Sequence, residues 1–322
     1  MKKTLLTIIA AATALQLASC GSGSVNNSAG NSELKGDIRL SGAFALYPLA
    51  VEWADEFQKL NPGVRVDVSA GGAGKGMTDA MTGAVDLGMV SREIYPKETE
   101  KGAIAFPTAK DAVVITINAN NPKINELLTK GLTKDMARKI WIDNSVKTVG
   151  DILGNDDATP VHIYRRSDAC GAAESFANWL GGKQEDIGGT AVFGDPGVAS
   201  AIQKDIYGIG FNNIGYAYDI HSHKLNDGLR IFPIDTDNSG DISSDEQFYD
   251  CKDNVTKAIA EGKYPSPPAR DLYLVSKGIP SNPIVVAFLK YVLTDGQKKN
   301  EPLGYISISK EKAEKALSQL DN

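Results

Sequence analysis

The fold is decided by residues 37–90, which read DIRLSGAFALYPLAVEWADEFQKLNPGVRVDVSAGGAGKGMTDAMTGAVDLGMV. Short apolar runs alternate in this stretch with segments of helical spacing. The pattern predicts strands at residues 37–40, 64–69 and 87–90 and helices at residues 49–60 and 76–82. Strands that alternate with helices in this way are typical of parallel βαβ units, so the sequence predicts an α/β fold.

Two later runs indicate that the chain crosses between two lobes. Residues 112–119 form a β-branched run that is long enough for a crossing strand, and residues 272–276 have the same character near the other end of the chain. Two crossings imply two lobes that are each built from separate parts of the chain. Lobe one is expected at residues 37–115 and 270–322, and lobe two at residues 116–269.

The N-terminal segment predicts export and a lipid anchor. Lys2 and Lys3 precede a largely apolar run that ends in Leu-Ala-Ser-Cys at Cys20. The run of about 14 residues falls short of the roughly 20 that a bilayer-spanning helix needs, so residues 1–19 indicate a lipoprotein signal peptide and Cys20 the site of lipidation. Residues 20–36, rich in Gly, Ser, Asn and Ala, indicate a flexible tether. The protein is therefore expected to be anchored by its lipid to a cell membrane and to face the periplasm.

The charge balance excludes one class of partner. The chain has 40 acidic and 34 basic residues, a formal net charge of −6, and no strongly basic run. Nucleic acid is therefore not expected to bind. A small anion can still bind if backbone donors and one or two Arg side chains outweigh the long-range field.

Four turns that follow predicted strands are candidates for such an anion site. They are residues 41–48, 71–76, 86–92 and 165–172. Turns between a strand and a helix expose backbone N–H groups at the positive end of the helix dipole, and an oxyanion needs such donors. Glycine also serves any tight turn, so each turn taken alone is weak evidence.

The order and spacing of the four turns resemble the phosphate-binding proteins of ABC phosphate importers, which are type II periplasmic binding proteins. The resemblance extends over nearly the whole chain and includes residues 208–211, 264–273 and 303–305. It implies a two-lobed α/β fold with two crossover segments and a ligand cleft between the lobes. It also implies that the chain captures inorganic phosphate, or another tetrahedral oxyanion such as sulfate or arsenate, for the membrane subunits of an ABC importer. We expect a monomer that is not an enzyme.

The resemblance also places particular residues at the ligand. The predicted set is Leu46, Tyr47, Ala73, Gly74, Cys170, Gly171 and Ala172 in the turns, Ser91 as a strand-end acceptor, and Arg166 oriented by Asp168. Arg165 is expected to point away, because adjacent residues on a strand face opposite sides.

This chain departs from the family pattern at several of these positions. The family commonly has Thr or Ser where this chain has Leu46, Ala73, Cys170 and Ala172, and some members have Asp in place of Ser91. Each lost hydroxyl is a lost hydrogen-bond donor. The backbone donors and Arg166 are retained.

Residues 235–246 match the twelve-residue calcium loop. The expected oxygen ligands are Asp235, Asp237, Ser239, Asp241, Ser243 and Glu246. Gly240 permits the sharp turn at the sixth position, and Ile242 fills the apolar eighth position. The flanks suggest a strand at residues 231–234 and a helix at residues 248–261, so we expect one structural Ca²⁺ in lobe two and no paired helix-loop-helix hand.

Two other classes of function stay open. The thiol of Cys170, at a helix N-terminus beside an Arg, would have a lowered pKa and could serve an enzyme as a nucleophile. A calcium-dependent interaction lipoprotein would instead bind no small anion. The sequence also leaves open whether Cys170 and Cys251 form a disulfide.

Overall fold

The computed structural model describes residues 34–321, and it confirms the α/β class. The strands are β1 (Gly36–Gly42), β2 (Val64–Ala70), β3 (Leu87–Val90), β4 (Ala103–Asn118), β5 (His162–Arg166), β6 (Thr190–Val192), β7 (Gly208–Asn213), β8 (Leu229–Ile231), β9 (Ala269–Lys277) and β10 (Ile306–Ser307). The helices are α1 (Tyr47–Leu60), α2 (Ala73–Thr82), α3 (Pro96–Glu100), α4 (Ile124–Lys130), α5 (Lys134–Trp141), α6 (Val149–Leu153), α7 (Gly171–Trp179), α8 (Gly194–Lys204), α9 (Ile214–Ala217), α10 (Lys252–Ala260), α11 (Pro283–Leu293) and α12 (Lys310–Ser318). Within residues 34–321, none of these helices combines the length and the apolar character that a membrane crossing requires.

The sheet is organised around the long strand β4. The strands follow the order β2-β1-β3-β9-β4-β7-β5-β6, with β10 and β8 also paired to β4. The pairs β1–β2 and β1–β3 are parallel, as the βαβ pattern predicts, whereas β9 runs antiparallel to both β3 and β4. The first part of β4 pairs with β9 and its second part with β7, so one strand serves both halves of the sheet.

The described residues bury two large hydrophobic cores. One core draws its residues from between Ala112 and Ala269. The other combines residues 38–109 with residues 272–320. We call the elements around the second of these cores lobe one and those around the first lobe two.

The chain changes core at the same level on two neighbouring strands. On β4 the change falls between Ala109 and Ala112, and on β9 between Ala269 and Leu272. In the register of the two strands, Ala109 lies opposite Leu272 and Ala112 opposite Ala269. This arrangement supports a division into two lobes, while the boundaries expected from the sequence stay a prediction.

Three sequence-based expectations about local structure are wrong. Gly36 belongs to β1 and not to the tether, because its N–H donates to the carbonyl oxygen of Gly63 at 3.1 Å. Strand β8 ends at Ile231 and does not reach residue 234, since Pro233 has no N–H to donate to a ladder. Helix α10 begins at Lys252 and not at residue 248. The rest of the signal peptide and tether expectation, including Cys20, falls on residues 1–33, which lie outside the described residues.

Candidate functional site

The predicted turns meet where lobe one faces lobe two. In the first turn of α2, the N–H of Gly74 donates to the carbonyl oxygen of Ala169 at 3.1 Å. A Cβ added to Gly171, at the start of α7, would lie only 2.1 Å from the carbonyl oxygen of Ser91. Glycine at this position therefore permits an approach between the lobes that no side chain would allow. The second, third and fourth predicted turns thus lie together.

The backbone donors of the predicted set fall into two groups. Leu46 and Tyr47 donate their N–H groups to the carbonyl oxygen of Ala43, at 3.1 and 3.2 Å, and Cys170 donates to the side chain of Gln184 at 3.2 Å. Between residues 34 and 321, no acceptor faces the N–H groups of Ala73, Gly171 and Ala172. Such groups carry the partial positive charge of a helix N-terminus, so the starts of α2 and α7 supply unpaired donors.

Arg166 is a buried charged residue at this junction, with 2% of its surface exposed. Its Nε donates to Oδ1 of Asp168 at 2.8 Å and its Nη2 to Oδ2 of the same carboxylate at 2.5 Å, while Nη1 donates to Oδ2 of Asp195. Burial alone would lower the pKa of Arg166, but the neighbouring carboxylates outweigh it and raise the pKa. Three of the five guanidinium N–H groups are thereby used, and two remain for a ligand.

Asp195 is a residue of this junction that the sequence analysis misses. It is 0% exposed, and besides Arg166 it accepts the backbone N–H and the side-chain Nδ2–H of Asn213, both at 2.7 Å. An acidic residue in the first turn of a helix commonly serves only the helix dipole, so the local pattern of α8 gives no signal. The pairing with Arg166 arises because Asp195 follows β6, whose Val192 lies opposite Arg166 of β5 in the sheet.

A second buried Arg extends the network to the strands that cross between the lobes. Nη2 of Arg270 donates to the side-chain oxygen of Asn213, and Nε donates to the carbonyl oxygen of Ser91 at 3.3 Å. The same Nη2 lies 3.8 Å from Oδ2 of Asp111, which has no hydrogen-bond partner among the described residues. Burial raises the pKa of Asp111 to about 6, against the opposing charge of Arg270.

Phe44 brings the first predicted turn, residues 41–48, to this network. Its ring centroid lies 5.2 Å from Cζ of Arg166, which is a cation–π distance. The ring also makes edge contacts with Phe193 and Tyr216, at centroid distances of 6.0 and 6.3 Å, and the hydroxyl of Tyr216 donates to the carbonyl oxygen of Phe44 at 3.2 Å. All four predicted turns therefore border the same site.

Cys170 does not have the properties of a nucleophile. Its side chain is buried and caps α7, where Sγ accepts the N–H of Ala173 at 3.4 Å. Burial raises the pKa of the thiol to about 12, although the charge of Arg166 acts in the other direction. The lowered pKa expected for an enzyme is therefore wrong. Cys170 and Cys251 are both free thiols, so no disulfide joins them.

The calcium-type loop gathers three of its expected ligands. Asp235, Asp237 and Glu246 each place one carboxylate oxygen within 4.8 Å of the others. Asp235 and Glu246 are buried, at 2% and 5% exposure, although carboxylates are seldom buried unless they are paired or bind a metal.

The remaining expected ligands lie along the same loop. The hydroxyl of Ser239 donates to the main-chain oxygen of Asp241 at 2.9 Å, and the hydroxyl of Ser243 donates to Glu246 at 2.9 Å. Gly240, with φ of +98°, supplies the turn between them. Carboxylate, hydroxyl and carbonyl oxygens are the donor set that Ca²⁺ prefers, so the residues fit this ion.

Comparison with known proteins bears on the family of the chain. A family model described as the PBP superfamily domain matches residues 27–296. The phosphate-binding protein PstS of Staphylococcus aureus (strain bovine RF122 / ET3-1) is 25% identical over 316 residues, which cover 96% of this chain and 88% of the relative.

Solved structures share the fold. A chain from Clostridium perfringens, solved with bound phosphate, has a TM-score of 0.68 and 21% identity and covers 85% of this chain and 100% of its own length. An ABC-type phosphate transport receptor from Vibrio cholerae has a TM-score of 0.60 and 18% identity, with the same shares of 85% and 100%. The names of these proteins describe binding proteins and a transport receptor, in agreement with the expected class. The chain belongs to the PBP superfamily and is similar to the PstS phosphate-binding proteins.

Proposed function

We propose that this chain captures inorganic phosphate between its lobes and delivers it to the membrane subunits of an ABC importer. The observation that carries the proposal is the meeting of the α2 and α7 N-termini beside Arg166. Ala73, Gly171 and Ala172 offer unpaired N–H groups there, and Arg166 has two N–H groups left. Backbone N–H groups at helix N-termini and a guanidinium group are donors from which a tetrahedral oxyanion accepts. The names of the relatives, which bind or transport phosphate, support the same ligand.

The site would bind its anion through short hydrogen bonds more than through net positive charge. The charge of Arg166 is already balanced by Asp168 and Asp195, and the chain as a whole is acidic. The helix dipoles of α2 and α7 and the directed N–H groups then supply the stabilisation. Such donors need no reorganisation when the ligand arrives.

The composition of the site keeps a second candidate open, namely another tetrahedral oxyanion. Leu46, Ala73 and Ala172 are buried at 0%, 0% and 1% exposure and give no side-chain donors. Ser91, also buried, would be the acceptor for a protonated ligand oxygen. An acceptor favours phosphate over sulfate, because phosphate keeps a proton near neutral pH and can donate it in a hydrogen bond.

Calorimetric titration of the purified protein with phosphate, sulfate and arsenate tests this proposal. We expect saturable binding of phosphate with one site per chain and no saturable binding of sulfate at the same concentrations. Saturable sulfate or arsenate binding without phosphate binding would establish the second candidate instead. No saturable heat with any of the three would reject the function.

We also propose that residues 1–19 direct export and that a lipid on Cys20 anchors the chain, as a monomer facing the periplasm. The pattern of Lys2, Lys3, the short apolar run and the cysteine supports this location. One lipid-modified cysteine would then be the anchor. Exchange of Cys20 for Ala should move the exported protein from the membrane fraction to the soluble fraction, and retention in the membrane pellet would contradict the proposal.

We propose a structural Ca²⁺ in the loop of residues 235–246. The three carboxylates repel one another at the observed separation, and a divalent cation would reverse the sign of that interaction. The loop is tied to lobe two, since Asp235 donates its N–H to Leu132 at 3.0 Å and Ile242 donates to Thr129 at 2.8 Å. The ion would therefore stabilise lobe two without contacting the anion.

A further inference from the structure

A buried ion pair connects the lobes beside the anion site. Arg92 follows Ser91 at the end of β3, and its side chain is 8% exposed. Its Nε lies 3.2 Å from Oε2 of Glu174, which stands on α7 in lobe two. Glu174 is on the same helix whose first residues, Gly171 and Ala172, offer N–H groups to the anion. The pair therefore joins a lobe-one strand end to the helix that carries the ligand donors.

The lobe-one half of this contact is held in place by its own neighbours. Nη1 and Nη2 of Arg92 donate to the two carboxylate oxygens of Glu98 at 2.9 and 2.7 Å, and the ring of Tyr95 lies 4.3 Å from Cζ. All three residues lie between β3 and the end of α3, so opening of the lobes would leave their contacts intact. Only the contact to Glu174 would break. Arg92 is thus pre-oriented, and little side-chain entropy is lost when the pair forms.

Glu174 is partly buried, with 17% of its side chain exposed, and it lies between two cavities. Both cavities have a volume of about 460 Å³, and both are lined by Arg92, Glu174 and Asn178. One extends towards Gly74 and Cys170 and the other towards Arg270. Burial raises the pKa of Glu174, which agrees with its restricted contact with water. The ion pair therefore joins the two lobes at a place that has a cavity on either side.

We propose that the Arg92–Glu174 pair is a latch that holds the lobes closed over the ligand and so sets how long the ligand stays bound. The proposal rests on the proposed function for its ligand, but the latch itself is a property of the two lobes. Because the contact forms only when the lobes meet, it should act more on dissociation than on association. Arg92 and Glu174 act here as positioning residues and do not touch the anion.

The test compares Glu174→Gln with the matched variant Glu185→Gln. Glu185 is an exposed carboxylate that lines one of the same cavities, so its exchange removes the same charge from the same rim. In stopped-flow measurements with phosphate, we expect Glu174→Gln to dissociate about tenfold faster, the change produced by a contact worth about 1.4 kcal/mol. Its association rate should differ from that of Glu185→Gln by a smaller factor, because association changes only as far as the ligand-free protein is already closed. Equal dissociation rates in the two variants would overturn the latch.

A second variant, Tyr95→Phe, keeps the latch testable if Glu174→Gln does not fold. Burial and the neighbouring carboxylate of Glu174 raise the pKa of Tyr95 to about 12, so its hydroxyl lies near Glu174 from lobe one, and Tyr95→Phe removes only that group. We expect its dissociation rate to rise by about twofold, a smaller change because the hydroxyl carries no charge of its own and the ion pair to Arg92 remains. A rate equal to that of the unaltered protein would count against the latch.

Small-angle X-ray scattering separates failure of the latch from failure of the proposed function. In the absence of any ligand, Glu174→Gln should have a larger radius of gyration than Glu185→Gln, because more of its molecules are open. If the unaltered protein binds no phosphate, the proposed function is wrong. The radii of gyration of the two variants still test the latch in that case. Identical radii of gyration would overturn it.

Discussion

The calcium-type loop and the site around Arg166 are both made of charged side chains and turn backbone, but they are assembled in opposite ways. The loop is one continuous stretch, residues 235–246, and its ligands need only a local turn to converge. The anion site takes its parts from the turns after β1, β2, β3 and β5 and from α8. The first site can therefore be found from spacing alone, whereas the second exists only when the whole sheet has formed.

The largest expected effect concerns the charged network that only the folded sheet creates. Asp195→Ala leaves Arg166 without one of its two carboxylates and leaves the N–H of Asn213 without its acceptor. Loss of one partner from a buried pair typically costs about 3–5 kcal/mol. We expect the free energy of unfolding, measured by urea denaturation, to fall by that amount.

Asp67→Ala is the matched control for Asp195→Ala. Asp67 pairs with Arg65 on the surface, with side-chain exposures of 49% and 72%. Exposed pairs contribute about 0–1 kcal/mol, so its stability should be nearly unchanged. Equal losses of unfolding free energy in the two variants would show that the buried network contributes no more to stability than an exposed ion pair.

The next effect is a pH dependence that the loop should not share. Because the pKa of Asp111 in the folded state is raised to about 6 from its ordinary 3.8, the folded chain binds this proton more tightly than the unfolded chain. The resulting stability is fully present below about pH 4 and is lost as the pH rises through about 6, by roughly 3 kcal/mol. Urea denaturation between pH 4 and 7 should show this fall in the unaltered protein and not in Asp111→Asn. Parallel pH profiles for the two proteins would contradict the assignment.

A smaller effect tests the contiguous site. If Ca²⁺ binds the loop, a concentration one hundred times its dissociation constant should stabilise the protein by about 2.7 kcal/mol, which EDTA would remove. Asp235→Ala should abolish the shift in melting temperature between Ca²⁺ and EDTA. Asp245→Ala, which removes an exposed carboxylate from a non-ligand position of the same loop, should keep it. A melting temperature that EDTA leaves unchanged would show that the loop is only an acidic turn.

The contrast between the two sites also explains which parts of the structure the sequence predicts and which it does not. The alternation in residues 37–90 predicts β1, β2 and β3 within one or two residues, since burial of regular elements leaves a periodic pattern. The pairing of Arg166 with Asp168 is local and was accessible through the resemblance. Asp195 was not, because its contact depends on the order of strands in the sheet and no short-range pattern records it.

The burial of Cys170 explains a further difference. The pKa of Cys170 was expected to fall beside Arg166, but desolvation outweighs that charge. Sequence spacing identifies neighbours along the chain, while burial depends on the core that packs around a residue.

Binding of an oxyanion by Arg166 and the surrounding helix N-termini is best tested by titrating phosphate into Arg166→Ala beside Arg165→Ala. The two residues are adjacent on β5, and Arg165 is half-buried with its Nη1 on the carbonyl oxygen of Arg166 at 3.1 Å, so each variant removes one Arg from the same strand. Circular dichroism establishes that both are folded. We expect Arg166→Ala to lose about 2–5 kcal/mol of binding free energy, which is about 30-fold or more in affinity, and Arg165→Ala to stay within about threefold of the unaltered protein. Unchanged phosphate affinity in a folded Arg166→Ala would contradict the account.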